Sequence, residues 1–230
     1  MKVKSHIPNL LTLGNLLAGV IGIVWVLDGT YSAGAYFILL AALLDFFDGF
    51  AARLLKVTGE LGKQLDSLAD MVSFGVLPGF IVFSWSQTLT DLEWLPYLSL
   101  TIPLFSALRL AKFNIDERQS DRFIGLPTPA NALFFSTLPI LSQKWSQLDF
   151  LLSNPWFLII LAWIFSLLLV AELTLIALKF KNFSFRNNVF RYMLIGLGLI
   201  FLLTMGLAGV PLIILVYLVL SAIENSFFSP

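Results

Sequence analysis

An all-α integral membrane protein, a bundle of about eight transmembrane helices, is the fold the sequence predicts. Of 230 residues, 58% are apolar and only 12% charged, and the mean hydropathy is +0.90, outside the range of soluble domains. Polar and Gly/Pro punctuation also cuts the chain into apolar runs near the ~20 residues that cross ~30 Å of hydrocarbon. The runs are 8–27, 32–55, 61–86, 92–113, 129–143, 155–178, 189–205 and 210–223. The first exceeds the apolar core of a signal peptide and lacks an Ala-x-Ala-like cleavage site after it, so it is expected to be retained. The second and third are joined by a short polar loop and are antiparallel neighbours. The fifth, seventh and eighth are short. The last two meet at Gly206-Leu-Ala-Gly209 before Pro211, which reads as a tight hairpin or as a kink in one long segment, the latter giving seven spans. A single transmembrane domain, 1–230, accounts for the chain.

Eight spans place both termini on one side. Lys2, Lys4, Arg53, Lys56, Lys63, Arg109, Lys112, Arg118, Arg122, Lys179, Lys181, Arg186 and Arg191 all fall on the N-terminal side, and Lys144 alone falls opposite. Cytoplasmic loops collect Lys and Arg, so both termini are expected in the cytoplasm. The opposite loops carry Asp28, Asp91, Glu93 and Asp149 and are bordered by Trp25, Trp85, Trp94, Trp145 and Trp156, an interfacial aromatic belt.

Composition excludes several functions. Fourteen Lys plus Arg against fourteen Asp plus Glu give zero formal charge, so no basic field exists to hold nucleic acid. Without cysteine there is no disulfide, thiolate nucleophile or Cys metal site. The single histidine, His6, lies in the polar N-terminal stub, which argues against a catalytic triad or a multi-histidine centre.

An ionisable group at mid-bilayer costs roughly 2.5 to 3.5 kcal/mol and marks a functional site by default. Asp45, Asp48 and Gly49 stand at i, i+3 and i+4 in the second span, with Ala52 and Arg53 continuing the same face. Gly62, Asp66 and Asp70 form a second stripe at i, i+4 and i+8 in the third. At about 1.5 Å per residue, Asp45 and Asp70 both lie roughly 15 Å from the cytoplasmic helix ends. Four carboxylates drawn together repel unless protons or a cation neutralise them. Oxygen-only ligands select hard ions, magnesium or manganese, and two such ions about 3.5 to 4 Å apart are a recurring clamp for phosphoryl displacement. The competing reading is an ion-pair network with Arg53 and Arg109, but two arginines cannot match four acids. Gly49 and Ala52 fit either the approach of a phosphorylated ligand or close helix packing. Glu172 is the remaining buried acid, and its single position fits either a bundle ion pair or an active-site contact.

Written out, Asp45-x2-Asp48-Gly49-x2-Ala52-Arg53-x8-Gly62-x3-Asp66-x3-Asp70 resembles, at every fixed position, the signature of the CDP-alcohol phosphatidyltransferases. Ile7-Pro-Asn-Leu-Leu-Thr-Leu-Gly-Asn15, Asp66-Ser-Leu-Ala-Asp-Met-Val-Ser-Phe-Gly75, Leu108-Arg-Leu-Ala-Lys-Phe-Asn114 and Gly125-Leu-Pro-Thr-Pro129 are similar to the phosphatidylserine synthase branch. The resemblance implies transfer of a phosphatidyl group from CDP-diacylglycerol to L-serine, releasing CMP, in the cytoplasmic membrane of a prokaryote, with the site facing the cytoplasm. It implies that Asp45, Asp48 and Asp66 hold one ion, that Asp66 and Asp70 contribute to a second, and that Asp70 is the general base. Gly49, Ala52, Arg53 and Gly62 would border the nucleotide. Residues 31–75 would thus carry the motif helices and 105–131 the acceptor side.

Serine would bring a carboxylate and an ammonium. Arg109, Asn114 and Arg118 are candidates to receive them, or are interfacial bases anchoring to anionic headgroups. Ser73 could contact the acceptor or serve helix packing. A homodimer is what the family suggests, and Gly75-x3-Gly79 offers a close-packing face between chains or within one. The nearest rival is the same transfer to glycerol phosphate or inositol phosphate, which would want several converging bases. An ion-coupled transporter would also bury acids, but an inverted repeat with broken helices is not evident.

Overall fold

The computed structural model describes residues 6–57, 59–116, 123–176, 184, 185 and 188–228. The α-helices among these residues are α1 (His6–Leu27), α2 (Gly34–Leu55), α3 (Glu60–Asp70), α4 (Leu77–Gln87), α5 (Thr101–Ile115), α6 (Thr128–Lys144), α7 (Asp149–Leu152), α8 (Pro155–Val170), α9 (Val189–Met205) and α10 (Val210–Phe228). Lipid offers no hydrogen bonds to an exposed backbone, so helices that satisfy their own amides are the expected answer to such a sequence. The chain is a multi-pass membrane protein. Among the described residues four helical stretches are long and apolar enough to cross, His6–Leu27, Tyr31–Leu55, Glu60–Gln87 and Val189–Ser226, and the pair Ser146–Leu152 and Pro155–Val170, bent by 79°, adds a fifth if it is one broken span. At 15 and 17 residues, α5 and α6 are shorter.

Glu60–Gln87 is continuous but not uniform. Between α3 and α4, residues Met71–Val76 form a π-helical turn. Pro78 explains its position: a proline has no N–H to donate and its ring collides with the carbonyl four residues back, here Phe74, so the helix widens just ahead of it. This π turn is the hub of the bundle, with α1, α5 and α6 all packed against it.

Close approach of the helices is set by glycine. A Cβ at Gly22 would meet Phe37 Cβ at 2.8 Å, and one at Gly34 would meet Ile81 Cδ1 at 2.5 Å. Gly75 and Gly79 face α5, where a Cβ would come within 3.0 Å of Ser106 Cβ and 2.7 Å of Pro103 Cδ. That pair therefore packs within the chain, and the dimer face expected of it is not supported. Val26, Ile38, Phe74, Leu77 and Ile81 fill one core between α1, α2 and α4. A second lies among α4, α5, α6 and α8, where Phe134 stacks on Phe165 with ring centroids 4.0 Å apart.

Several expectations are corrected. The fourth span starts later than 92, with a 3-10 turn at Pro96–Leu100 leading into α5. The sixth does not reach 178 but stops at Val170. There the chain turns out to pair Thr174–Leu175 (β2) antiparallel with Phe123–Ile124 (β1), while the amide of Leu126 donates to the Leu168 carbonyl and that of Gly125 to Leu173. Gly125 has φ +77 and a Cβ would sit 2.5 Å from the Leu169 carbonyl oxygen, so only glycine fits. Glu172 is consequently exposed beyond the helix end, not buried in a span. Of the tryptophans expected to border the opposite loops, Trp85 is buried and stacked on Tyr31, while Trp25, Trp94, Trp145 and Trp156 are exposed. The last two spans form a hairpin: Arg191 pairs with Glu224 at 3.7 Å, and Gly198 faces Ile213, which a straight helix would forbid.

Candidate active site

Two polar stripes were expected to meet, and they do. One carboxylate oxygen from each of Asp45, Asp48 and Asp66 lies within 4.8 Å of the others. They border an open cavity of ≈ 780 Å³ between α1, α2 and α3, whose wall also includes Gly49, Ala52, Arg53 and Gly62. Asp70 stands one turn deeper and is absent from that lining. Among the described residues no Lys or Arg forms an ion pair with any of the four acids, so the ion-pair reading is not what the fold builds. Three carboxylates converging without a base are a donor set suited to a hard divalent cation.

The glycines of the motif differ from those of the packing seams. A Cβ at Gly49 would meet only the Arg53 guanidinium, at 3.7 Å, and one at Gly62 only Asn9 Oδ1, at 3.5 Å. Helix packing requires glycine at neither, and both open onto the cavity.

Helix α1 supplies what the motif does not contain. Thr12 Oγ1 donates to Asp48 Oδ2 at 2.6 Å, and Asn15 Nδ2 donates to Asp70 Oδ1 at 3.3 Å. Pro8 and Asn9 join Thr12 in the cavity wall. The sequence carried a signal for these: Thr12 and Asn15, then Gly19 and Gly22, continue one stripe of an otherwise apolar helix.

The acceptor candidates separate. Arg109 is buried, its guanidinium 4.7 Å from the centre of the Phe113 ring and in electrostatic reach of Asp70. Asn114 Nδ2 donates to Ser67 Oγ at 2.8 Å while its carbonyl accepts from Lys63 Nζ, tying α5 to α3. Ser73 Oγ donates to the Asn15 carbonyl at 2.9 Å and fills the gap left by Gly19. Arg118 lies outside the described residues.

The sequence matches a known family: a model of the CDP-alcohol phosphatidyltransferases covers residues 5–168. The chain belongs to the CDP-alcohol phosphatidyltransferase family. Within the family it is similar to a CDP-diacylglycerol–serine O-phosphatidyltransferase of Bacillus subtilis (strain 168), 38% identical over 129 residues, 54% of this chain and 70% of that protein. A Helicobacter pylori (strain J99) protein of the same name is 33% identical over 144 residues, 62% of this chain and 60% of its own length. An archaetidylserine synthase of Methanothermobacter thermautotrophicus is 35% identical over 144 residues, covering 59% of both chains. The chain thus spans between 59% and 70% of these relatives.

Proposed function

We propose that the protein transfers the phosphatidyl group of CDP-diacylglycerol to the hydroxyl of L-serine, giving phosphatidylserine and CMP. The observation that carries this reading is the unpaired cluster Asp45, Asp48 and Asp66 on the wall of the ≈ 780 Å³ cavity, with Asp70 beside it. Relatives named for serine or archaetidylserine transfer support the choice of acceptor. A phosphorylated acceptor would need converging bases, yet of the two described bases on α5 only Arg109 is buried, and Lys112 is exposed.

Asp45, Asp48 and Asp66 would hold one divalent cation, magnesium or manganese, and Asp66 with Asp70 would contribute to a second. When bound, the ions neutralise the diphosphate, polarise the phosphorus and stabilise the leaving nucleotide. Gly49, Ala52 and Gly62 leave room for the cytidine and ribose, and Arg53 closes over them from the same helix. Asp70 accepts the proton of the serine hydroxyl as its oxygen bonds to the phosphorus bearing diacylglycerol. The bond from that phosphorus to the CMP oxygen breaks, and CMP leaves with the electron pair. Asn15, bonded to Asp70, fixes which carboxylate oxygen faces the acceptor. No covalent enzyme intermediate is required. Eight crossings, with both termini and the cavity mouth in the cytoplasm, complete the reading: Lys144, the base on the opposite side, bonds the Met205 carbonyl at the far end of α9.

The deciding assay is CMP release by purified protein from CDP-diacylglycerol with magnesium or manganese and a panel of alcohols. Serine is expected to exceed water, glycerol phosphate and inositol phosphate; equal release with water or faster release with glycerol phosphate rejects the acceptor.

A further inference from the structure

Buried polar atoms in folded proteins nearly always have hydrogen-bond partners. Among the described residues those without one are Asn15 Oδ1, Ser106 Oγ, Arg109 Nε, Thr128 Oγ1 and both amide atoms of Asn131. They are not scattered. Asn15 is on α1, Ser106 and Arg109 are one turn apart on α5, and Thr128 and Asn131 are one turn apart at the start of α6. All three helices pack on the π turn that follows Asp70. Ser106 Cβ lies 3.0 Å from where Gly75 would carry a Cβ, Asn15 holds both Asp70 and Ser73, and Ala132, next to Asn131, shares a core with Phe74.

Desolvating so many unpaired groups costs stability at each. Such a concentration beside a reactive group is what a binding pocket shows when its ligand is absent. We propose that these groups, Asn131 foremost, form the pocket for the α-carboxylate and α-ammonium of an amino-acid acceptor whose hydroxyl faces Asp70. This deepens, and rests on, the reading of serine as acceptor. Arg109 Nε–H, the Asn131 amide N–H and the hydroxyls of Thr128 and Ser106 are donors for the carboxylate. Asn131 Oδ1 and Asn15 Oδ1 are acceptors for the ammonium. An alcohol lacking either charge leaves part of the set unpaired, and sites built to hydrogen-bond a group reject analogues without it.

The test uses purified full-length protein and CMP release, with Michaelis constants for serine and for CDP-diacylglycerol measured separately, and thermal midpoints without serine. Asn131→Leu and Thr128→Val should each raise the serine KM about tenfold or more, the equivalent of one lost bond, and leave the CDP-diacylglycerol KM within about twofold. Their thermal midpoints should hold or rise, because no internal partner is lost. Asn131→Leu should also narrow the wild-type preference for serine over 3-hydroxypropionate, which lacks the ammonium. Thr128→Val changes shape least and carries the KM test should the leucine variant not fold. An unchanged serine KM, a parallel rise in both constants, or a lowered midpoint for Thr128→Val overturns the pocket while the acceptor reading stands. Absence of serine turnover in the wild type overturns both.

Discussion

Replacing Thr12 with valine isolates the contribution of α1 to the carboxylate cluster. The two side chains have the same shape, Thr12 is 3% exposed, and packing is therefore preserved while the 2.6 Å hydrogen bond to Asp48 is removed. A hydrogen bond to an ionised group contributes about 1.5–3 kcal/mol, and 1.4 kcal/mol is about tenfold in affinity. The loss of an outer partner of a ligating carboxylate accordingly costs about 10–100-fold in metal affinity. The hydroxyl also bonds the Pro8 carbonyl at 3.1 Å, a local bond whose loss affects α1 but not the ion. Manganese titration of CMP release, at saturating CDP-diacylglycerol and serine, should show half-activation shifted upward by that factor, with turnover at saturating metal within a few-fold of wild type. Unchanged half-activation would refute the claim that Asp48 ligates an ion under the control of Thr12. So would lost turnover that excess metal cannot restore.

Gly49→Val should weaken use of CDP-diacylglycerol with little change in thermal midpoint, because the new side chain enters the cavity; normal activity would return Gly49 to another role. Gly79→Ala should do the reverse, lowering stability by about 1–3 kcal/mol as its Cβ meets Pro103 at 2.7 Å, read as a lower thermal midpoint in detergent. Asp70→Asn keeps an oxygen that can ligate but cannot take the proton, so nucleotide binding against metal concentration should persist while turnover falls by more than about a hundredfold; Asp45→Asn should lose metal-dependent nucleotide binding as well. Substantial turnover by Asp70→Asn places the base elsewhere. In intact cells, cysteines replacing Asp91 or Asp149 should be labelled from outside, and tags at both termini should be protected; opposite accessibility of the two tags means an odd number of crossings.

Much of the fold was legible because lipid imposes one requirement on every span. The bounds 189–205, read from polar and Gly/Pro punctuation, match α9 residue for residue. The end of α8 was not legible, since Leu173 to Leu178 continue the apolar run and nothing local announces that the Leu168 and Leu173 carbonyls bond the amides of Leu126 and Gly125, far earlier in the chain. The π turn was hidden for a related reason: Pro78 signals a disturbance but not whether a helix kinks, breaks or widens. Within the site, the aspartates declared themselves by charge at depth. Ser106, Thr128 and Asn131 did not, because a single hydroxyl or amide in an apolar helix is as often a back-bonded side chain, and only their positions around one hub distinguish them.

The family match ends at residue 168, yet the segment beyond it bears on the site. Tyr217, Ser221 and Asn225 stand at i, i+4 and i+8 on α10, and all three bond the backbone of 174–176: Tyr217 and Asn225 donate to the carbonyls of Ile176 and Thr174, and Ser221 accepts from the Ile176 amide. That strand pairs with β1, and β1 leads through Gly125 into the first turn of α6, where Thr128 and Asn131 lie. An isolated two-stranded ribbon is marginal at best, so a polar row on a membrane helix supplies the anchorage the ribbon lacks. Next to Asn225 in the chain, Glu224 pairs with Arg191 and bridges α9 and α10. The apolar face of the hairpin packs on α6 as well, Ala208 and Ile214 sharing a core with Phe134, Phe135 and Leu138. The polar row of Tyr217, Ser221 and Asn225 therefore acts together with that core: the core holds α6 along its length, and the row ties down the ribbon that leads into its first turn.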